Sequence, residues 1–407
     1  MKKIELHWRI LIGMFLGVFV GIIAIQLNIQ HFIIDWIKPF GTIFINLLKV
    51  IAIPLVITSL IKGITDLKDL SKLSTLGGKT VGLYLASTTV AVTLGLLLVN
   101  FLQPGKLIDK TTRQAFLKSY VPGIATPEKQ GPLQALVDIV PENIFNAMSS
   151  NQNMLQVLFF AIFVGIGLVL ITPKKSKPVI VFFDGLNEVI LKLVDLIMAV
   201  APYGVFALLS ALIIESPSVA IFVALIGYSG TVLLGLGLLT FGVYPLVLWL
   251  WKKQNYRHFL KSIAPAQLLA FSTSSSAATL PVTMECVENN LGVGQEVSSF
   301  VLPLGMTINM DGTSLYQAVA AVFIAQAFDM DLTLGIQLGI VLTATLASIG
   351  SAAVPGAGMI MLTIILGQAQ IPEVGLSLIL AIDRPLDMCR TITNVTSDAT
   401  IALLVDD

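Results

Sequence analysis

Apolar runs long enough to cross a lipid bilayer recur from one end of this chain to the other. Ile10–Leu27, Leu155–Ile171 and Val219–Leu250 are examples, and about 20 apolar residues in a helix span the hydrocarbon core. Inside that core every backbone N–H and C=O needs a partner within the protein, so only helices or a closed barrel can cross. The alternating pattern of a transmembrane barrel is absent, which leaves an all-α polytopic membrane protein. The mean hydropathy of +0.90 agrees, as does a charged share of 12%, about half that of soluble domains.

The first run follows Met1-Lys2-Lys3 but lacks a small-residue cleavage site, and further runs follow it. It reads as a retained helix and not a signal peptide. Formal net charge is zero, so nothing points to nucleic acid. Cys286 and Cys389 form no spacing motif, and neither a disulfide nor a metal site is implied.

Basic residues cluster in alternate loops: Lys2, Lys3 and Arg9; Lys62, Lys68, Lys72 and Lys79; Lys174, Lys175 and Lys177; Lys252, Lys253, Arg257 and Lys261. The positive-inside rule makes these regions cytoplasmic. They separate six passages, at about 8–30, 34–61, 80–102, 133–172, 178–214 and 218–251. The connection at 214–218 has no basic residue, as an outer loop should. The connection at 103–132 holds five, together with Asp109, Glu128 and several Pro and Gly, and reads as a long external loop. The amphipathic stretch 133–153 is expected to open the fourth passage as broken pieces.

After residue 262 the apolar segments are interrupted by small polar clusters. These are Ser272-Thr273-Ser274-Ser275-Ser276, Asn309-Met310-Asp311-Gly312-Thr313, and Ser348-Ile349-Gly350-Ser351 with Val354-Pro355-Gly356-Ala357-Gly358. Non-helical backbone at membrane depth is tolerated only where it is buried in protein or lines a cavity. The breaks therefore predict re-entrant hairpins whose tips meet inside the protein. The first break lies 34 residues before Asn309 and the second 36 before Arg390, so each half reads as a hairpin followed by an interrupted or polar-striped helix. Paired interruptions of this kind indicate a repeat in a secondary transporter, with its binding site between the repeats. Loop parity makes the two hairpins enter from opposite sides.

The last segment carries Asp383, Asp387, Arg390, Asn394 and Asp398. At about 100° per residue they occupy roughly 80° of helical arc, a single stripe. Ionisable groups at this depth are costly unless they face a protein interior or a water-filled cavity, so the stripe marks function. Arg390 offers a planar cation suited to bidentate pairing with a carboxylate. Asp387, three residues earlier, suits an ammonium. Helix N-termini at two hairpin tips add N–H groups that favour anions. A ligand with carboxylates and an amine fits this set; an intrahelical Asp387–Arg390 pair closing a gap is the bland reading. Asn309, Asp311 and Asp398 are hard oxygen donors beside interrupted backbone, a setting that suits Na⁺. An ordinary turn at Asn309–Gly312 is disfavoured by its apolar flanks.

The motifs Ser274-Ser275-Ser276-Ala277-Ala278-Thr279-Leu280-Pro281, Asn309-Met310-Asp311-Gly312-Thr313, Ser348 through Gly358, and Asp387-Met388-Cys389-Arg390-Thr391-Ile392-Thr393-Asn394-Val395 resemble those of the glutamate/aspartate transporter family of dicarboxylate/amino acid:cation symporters. The likeness spans essentially the whole chain. Inverted repeats are established in this family, so the repeat and the resemblance are one line of argument.

The resemblance implies eight transmembrane helices plus two re-entrant helical hairpins in inverted repeats. It also implies a homotrimer in the inner (plasma) membrane with both termini cytoplasmic. Residues 1–77 and 131–214 would form a scaffold. A transport unit would comprise 78–130 (a helix and the external loop), 215–253, and a core at 254–407 holding both hairpins. Arg390 would hold the substrate's side-chain carboxylate and Asp387 its amino group. Thr391, Asn394 and Thr313 would complete the pocket, with Ser275 and Ser276 at the first tip and Val354 and Gly358 capping from the second, gating hairpin. One Na⁺ would use Tyr84, Ser87, Thr88, Asn309 and Asp311. A second would use Asp398 with carbonyls of Gly305, Asn309 and Asn394, and a third the backbone of Thr307, Ser348, Ile349 and Ser351.

Three positions refine the resemblance. Asp398 is a carboxylate where some proton-coupled relatives carry an amide, which favours Na⁺. Gln317 replaces the glutamate of potassium-countertransporting animal relatives, so no K⁺ countertransport is expected. Ser274 stands where some archaeal members have an arginine; Arg384 either supplies that charge near the pocket or pairs with Asp383 or Asp387.

The expectation is a Na⁺-coupled symporter of acidic amino acids with an elevator-type motion; the rival is the same fold coupled to protons or carrying other substrates. Arg390 argues against neutral substrates and Asp387 against substrates without an amine. An intramembrane enzyme would need a nucleophile with a base, or a carboxylate dyad. His7, His31 and His258 lie near helix ends, away from the serine cluster, and an Asp311–Asp398 dyad has no supporting motif. A channel would pass substrate without concentrating it.

Overall fold

The structure, a computed structural model, describes residues 6–66, 74–108, 137, 140–149, 153–215, 219–349, 351, 353 and 356–406. Every regular element among them is helical. Five stretches are long and apolar enough to cross a membrane: Trp8–Gln26, Gln30–Thr65, Gly77–Leu107, Pro173–Ile214 and Ile221–Lys252. They match five of the six expected passages. In the remaining one a short helix, Ile144–Met148, stands apart from the apolar helix Met154–Leu170. Asn143 caps the short helix by accepting from the amide of Phe145 at 2.9 Å. Broken pieces are thus present at its start. The connection at 103–132 begins with the turn Pro104–Leu107; beyond Ile108 it lies outside the described residues, as do Val354 and Pro355 of the second break.

The first helices, α1 (Leu6–Gln26) and α2 (Lys38–Asp66), pack against the long α5 (Pro173–Glu215), with α4 (Met154–Leu170) also lying on α2. The α1 face against α5 is a glycine row. A Cβ on Gly17 would stand 2.7 Å from the Phe206 carbonyl oxygen, and one on Gly21 would stand 2.8 Å from Ile213 Cβ; Gly13 is as close to Pro202. Small residues four apart let backbones approach, which lipid-embedded helices use in place of a hydrophobic driving force.

A second group surrounds α11 (Asp311–Ala327), every residue of which is buried. A helix without a solvated face belongs at the centre of a bundle. Around it stand α3 (Ser74–Leu102), α6 (Val219–Leu238) and α14 (Leu376–Val405). A π-turn, Leu239–Val243, carries α6 into α7 (Tyr244–Lys252).

The polar breaks fall between helices, as expected. Between α8 (Tyr256–Thr273) and α9 (Ser276–Glu285), Ser274 takes φ 51° and Ser275 extends to φ −140°. The Ser275 hydroxyl then caps α9 by accepting from the amide of Ala278 at 3.2 Å. Serine is suited to both tasks, the turn and the cap. Asn309 and Met310 separate α10 (Gln295–Ile308) from α11. In the second half α12 (Leu334–Ile349) ends at the Ser348–Gly358 motif. Gly356, at φ 83°, opens α13 (Ala357–Gln368). That left-handed conformation favours glycine. The two tips meet: the Ser275 hydroxyl donates to the Ala353 carbonyl at 2.7 Å.

The glycine row gives a direct test. Gly17→Val overpacks the α1–α5 contact and is expected to destabilise the protein by about 1–3 kcal/mol, read as a lowered unfolding temperature in detergent. Gly167→Val, at a site with open space around it, leaves the unfolding temperature unchanged.

Candidate functional site

The polar stripe of α14 faces inward, towards α11 and the tip at Gly356. Arg390 is fully buried. Its Nη1 donates to Asp383 Oδ1 at 3.0 Å and its Nη2 to Asp387 Oδ1 at 2.7 Å. The guanidinium carbon lies 3.7 Å from the centre of the Tyr316 ring, a cation–π contact that supports the charge where water is excluded. The other oxygen of Asp387, Oδ2, accepts from Arg384 Nη1 at 3.3 Å and from the Gly356 amide at 3.2 Å. Two carboxylates and two guanidiniums thus interleave along about two helical turns, and one carboxylate also holds a hairpin tip.

Arg384, open between two roles in the sequence, pairs with Asp387, and Asp383 pairs with Arg390. The intrahelical Asp387–Arg390 pair, the bland alternative in the sequence reading, is present too.

Asn394 ties this cluster to the break in the preceding helix. Its Oδ1 accepts from the Gly312 amide at 2.8 Å, and its Nδ2 donates to the Thr313 hydroxyl at 3.3 Å. The close approach needs glycine at 312, because a Cβ there would stand 2.5 Å from the Arg390 carbonyl oxygen. Gly358 lies against the same pocket: its Cβ would be 3.0 Å from Thr313 Cγ2 and 3.5 Å from Arg390 Nη2. The Thr391 hydroxyl turns back to the Asp387 carbonyl at 2.8 Å. Ser276 is buried in the first turn of α9. Gln317 Nε2 donates to the Gly358 carbonyl at 3.2 Å.

A second polar cluster lies one to two turns further along α14. Asp311 is fully buried and accepts from four hydroxyls. Thr88 reaches Oδ1 at 2.8 Å, while Tyr244 at 2.8 Å, Ser397 at 2.7 Å and Ser87 all reach Oδ2. Asn309 Nδ2 donates to Asp398 Oδ1 at 2.8 Å and to the Ser397 hydroxyl at 2.9 Å. The Tyr84 hydroxyl donates to the Val301 carbonyl at 2.8 Å. Gly305 packs beneath, with no room for a Cβ between the Asp398 carboxyl and the Tyr84 hydroxyl. The donor set is all oxygen plus one amide, hard groups suited to an alkali cation. Ser348 joins from the second break: its hydroxyl accepts from the Met310 amide at 2.8 Å and donates to the Ile308 carbonyl at 3.1 Å. The Ser351 amide returns to the Ser348 carbonyl at 3.3 Å. Thr307 bonds back to its own helix, to Leu304 at 2.8 Å. Ile349 reaches Gly63 on α2.

Three participants were not singled out in the sequence. Ser397 is three residues beyond Asn394, so the stripe already pointed to it. Tyr316 sits one turn after Thr313, and only the fold puts its ring under Arg390. Tyr244 follows the π-turn, whose register shift no periodicity announces.

A family model described as the Sodium:dicarboxylate symporter family matches residues 6–407. The "Proton/sodium-glutamate symport protein" of Geobacillus stearothermophilus is 36% identical over 416 residues, covering 100% of this chain and 94% of its own length. The "Proton/glutamate-aspartate symporter" of Escherichia coli (strain K12) is 32% identical, covering 99% and 92%. The human "Excitatory amino acid transporter 3" is 33% identical, covering 97% and 84%.

The contact under the second cluster predicts a narrow tolerance. Gly305→Ala forces the Asp398 carboxyl and the Tyr84 hydroxyl apart, at a cost of about 1–3 kcal/mol. A drop of several degrees in unfolding temperature is expected, and an unchanged value contradicts the packing described.

Proposed function

This chain belongs to the sodium:dicarboxylate symporter family, the glutamate/aspartate transporters, and from that premise we propose that it is a Na⁺-coupled symporter of acidic amino acids. It is a multi-pass membrane transporter and not an enzyme. The observation that carries the substrate class is Arg390, fully buried against Asp383 and Asp387 where the hairpin tips come together. A substrate carboxylate exchanges for these carboxylates on the guanidinium, and the substrate ammonium takes Asp387. Thr313, Thr391, Asn394, Ser275, Ser276 and Gly358 are assigned to the substrate pocket, with Val354, outside the described residues, assigned to the gating tip from the family resemblance.

Charge accounts for cation coupling. Asp311, Asp383, Asp387 and Asp398 are buried beside Arg384 and Arg390, so with all six ionised two negative charges are in excess. An acidic amino acid adds one more. Uncompensated charge at membrane depth is costly, and three monovalent cations neutralise the loaded site. This matches the three Na⁺ positions carried over above: Tyr84, Ser87, Thr88, Asn309 and Asp311; Asp398 with Gly305, Asn309 and Asn394; and Thr307, Ser348, Ile349 and Ser351. Sodium is preferred for the oxygen-rich surroundings of Asp311 and Asp398. The proton is the rival, since the names of the relatives carry both ions.

The architecture is eight transmembrane helices with two re-entrant hairpins, assembled as a homotrimer in the inner membrane with cytoplasmic termini. Residues 1–77 and 131–214 act as scaffold for the moving remainder. Elevator-type motion is supported by the register between the two groups. Val405 at the end of α14 lies by Lys79, and Asp406 by Lys252, both in basic cytoplasmic regions. Its other end is therefore external, about 45 Å away at 1.5 Å per residue. Glu373, just before that external end, pairs at 2.6 Å with Lys49, about 16 Å down α2 from its own external end. Ile349 of the second break meets Gly63, three residues from the cytoplasmic end of α2. Both contacts support the reading of a transport unit displaced towards the cytoplasm.

In proteoliposomes, an inward Na⁺ gradient is expected to concentrate aspartate or glutamate, and Arg390→Ala to abolish the uptake. Accumulation driven equally well by a pH gradient without Na⁺ would overturn the choice of ion. Asp398→Asn is expected to raise the Na⁺ concentration for half-maximal uptake by about tenfold or more, the loss expected for a charged ligand. For the motion, Lys49→Cys with Glu373→Cys, in a background free of Cys286 and Cys389, should cross-link with Hg²⁺ and stop transport until a thiol is added. Full transport by the cross-linked protein refutes a sliding unit.

A further inference from the structure

We infer that Tyr244 is a positioning residue for the cation site at Asp311, a role that deepens and rests on the symport reading above. Four observations converge on it. Its hydroxyl donates to Asp311 Oδ2 at 2.8 Å, and the residue is buried to all but 3%. It is the first residue after the π-turn Leu239–Val243, and such local widenings of a helix recur at functional sites. The turn is anchored on both sides: the Tyr256 hydroxyl donates to the Thr240 carbonyl, and the Thr240 and Thr393 hydroxyls stand 3.2 Å apart. Finally, the ring lines an apolar cavity of about 330 Å³ between α3, α7 and α14, whose wall includes Leu83, Val90, Val247 and Leu404. Tyr244 thus stands between the Asp311 carboxylate and that apolar space.

The hydroxyls on Asp311 are not equivalent. Ser87, Thr88 and Ser397 carry freely rotating O–H groups on short side chains. Each can turn its proton away and offer a lone pair to a cation. Ser397 already accepts from Asn309, and Ser87 lies 3.4 Å from Ser397. Tyr244 is held by its ring, and the phenolic O–H lies close to the ring plane. It remains the donor to Oδ2 while the smaller hydroxyls reorient. Its hydrogen bond therefore orients the carboxylate, presenting Oδ1 towards Thr88 and Asn309, and keeps the apolar cavity away from the charge.

Tyr244→Phe keeps the ring and removes that donor. Purified protein in detergent is titrated with Na⁺ in the absence of amino acid, choline replacing Na⁺, with unfolding temperature as the readout. The Na⁺ concentration giving half of the stabilisation is expected to rise about tenfold, the size of one hydrogen bond to a charged group. In proteoliposomes the Na⁺ dependence of uptake should shift equally, with KM for aspartate at saturating Na⁺ unchanged. A purely structural role lowers the unfolding temperature in choline and leaves the midpoint where it was; that result overturns the assignment. Asp311→Asn is measured beside it. If Asp311→Asn also leaves the midpoint unmoved, the cation reading of the cluster fails. If only Asp311→Asn moves it, the inference about Tyr244 fails alone.

Discussion

The fully buried guanidinium of Arg390 is the constraint around which the second helix group is arranged. Removing such an ion from water costs several kcal/mol, and breaking a buried pair by deleting one partner costs about 3–5 kcal/mol. Asp383 and Asp387 provide the counter-charge, and the Tyr316 ring provides the face that no water reaches. These needs fix neighbours in turn. Tyr316 is on α11, so that helix must lie flat on α14, which the Gly312–Arg390 approach permits. Asp387 also binds the Gly356 amide, so the second tip is held by the same carboxylate that balances the arginine. A ligand that takes Asp387 thereby changes what holds the tip. The second tip and Arg390 are thus joined through the two oxygens of one carboxylate.

Much of this was legible in the sequence because it follows from periodicity and cost. The apolar runs gave five spans that the structure contains. The α14 stripe was visible because five costly residues share one arc. The serine run and Asn309-Met310 stood out as polar interruptions with apolar flanks, and both fall between helices. What stayed hidden depends on three-dimensional partnership. Asp383 could be placed on the stripe, but its choice of Arg390 over Arg384 reflects side-chain reach across seven residues. Tyr316 and Tyr244 look like ordinary apolar-face aromatics, and their hydroxyl or ring acquires a role only when another helix delivers a charge. The glycine row of α1 is a further case: its spacing is plain, but the α5 residues it packs on lie more than 180 positions away in sequence.

The Arg390 cluster and the Asp311 cluster are physically continuous, and on the proposed symport reading this continuity is what couples them. Asn394 holds the Gly312 amide and the Thr313 hydroxyl, while one turn further Ser397 and Asp398 hold Asn309 and Asp311. Between them runs the two-residue break, fixed from the outside by Ser348. On the proposed symport reading, a cation drawn to Asn309 and Asp311 acts on this break. It cannot do so without moving Gly312 and Thr313, which abut Arg390 and Gly358. Linkage then makes the effect mutual: whatever a cation contributes to substrate affinity, the substrate contributes to cation affinity. An unbroken helix through residues 309–313 would hold the same side chains but lack the adjustable element. On the proposed reading, the break is therefore the element through which the two clusters act as one coupled pair.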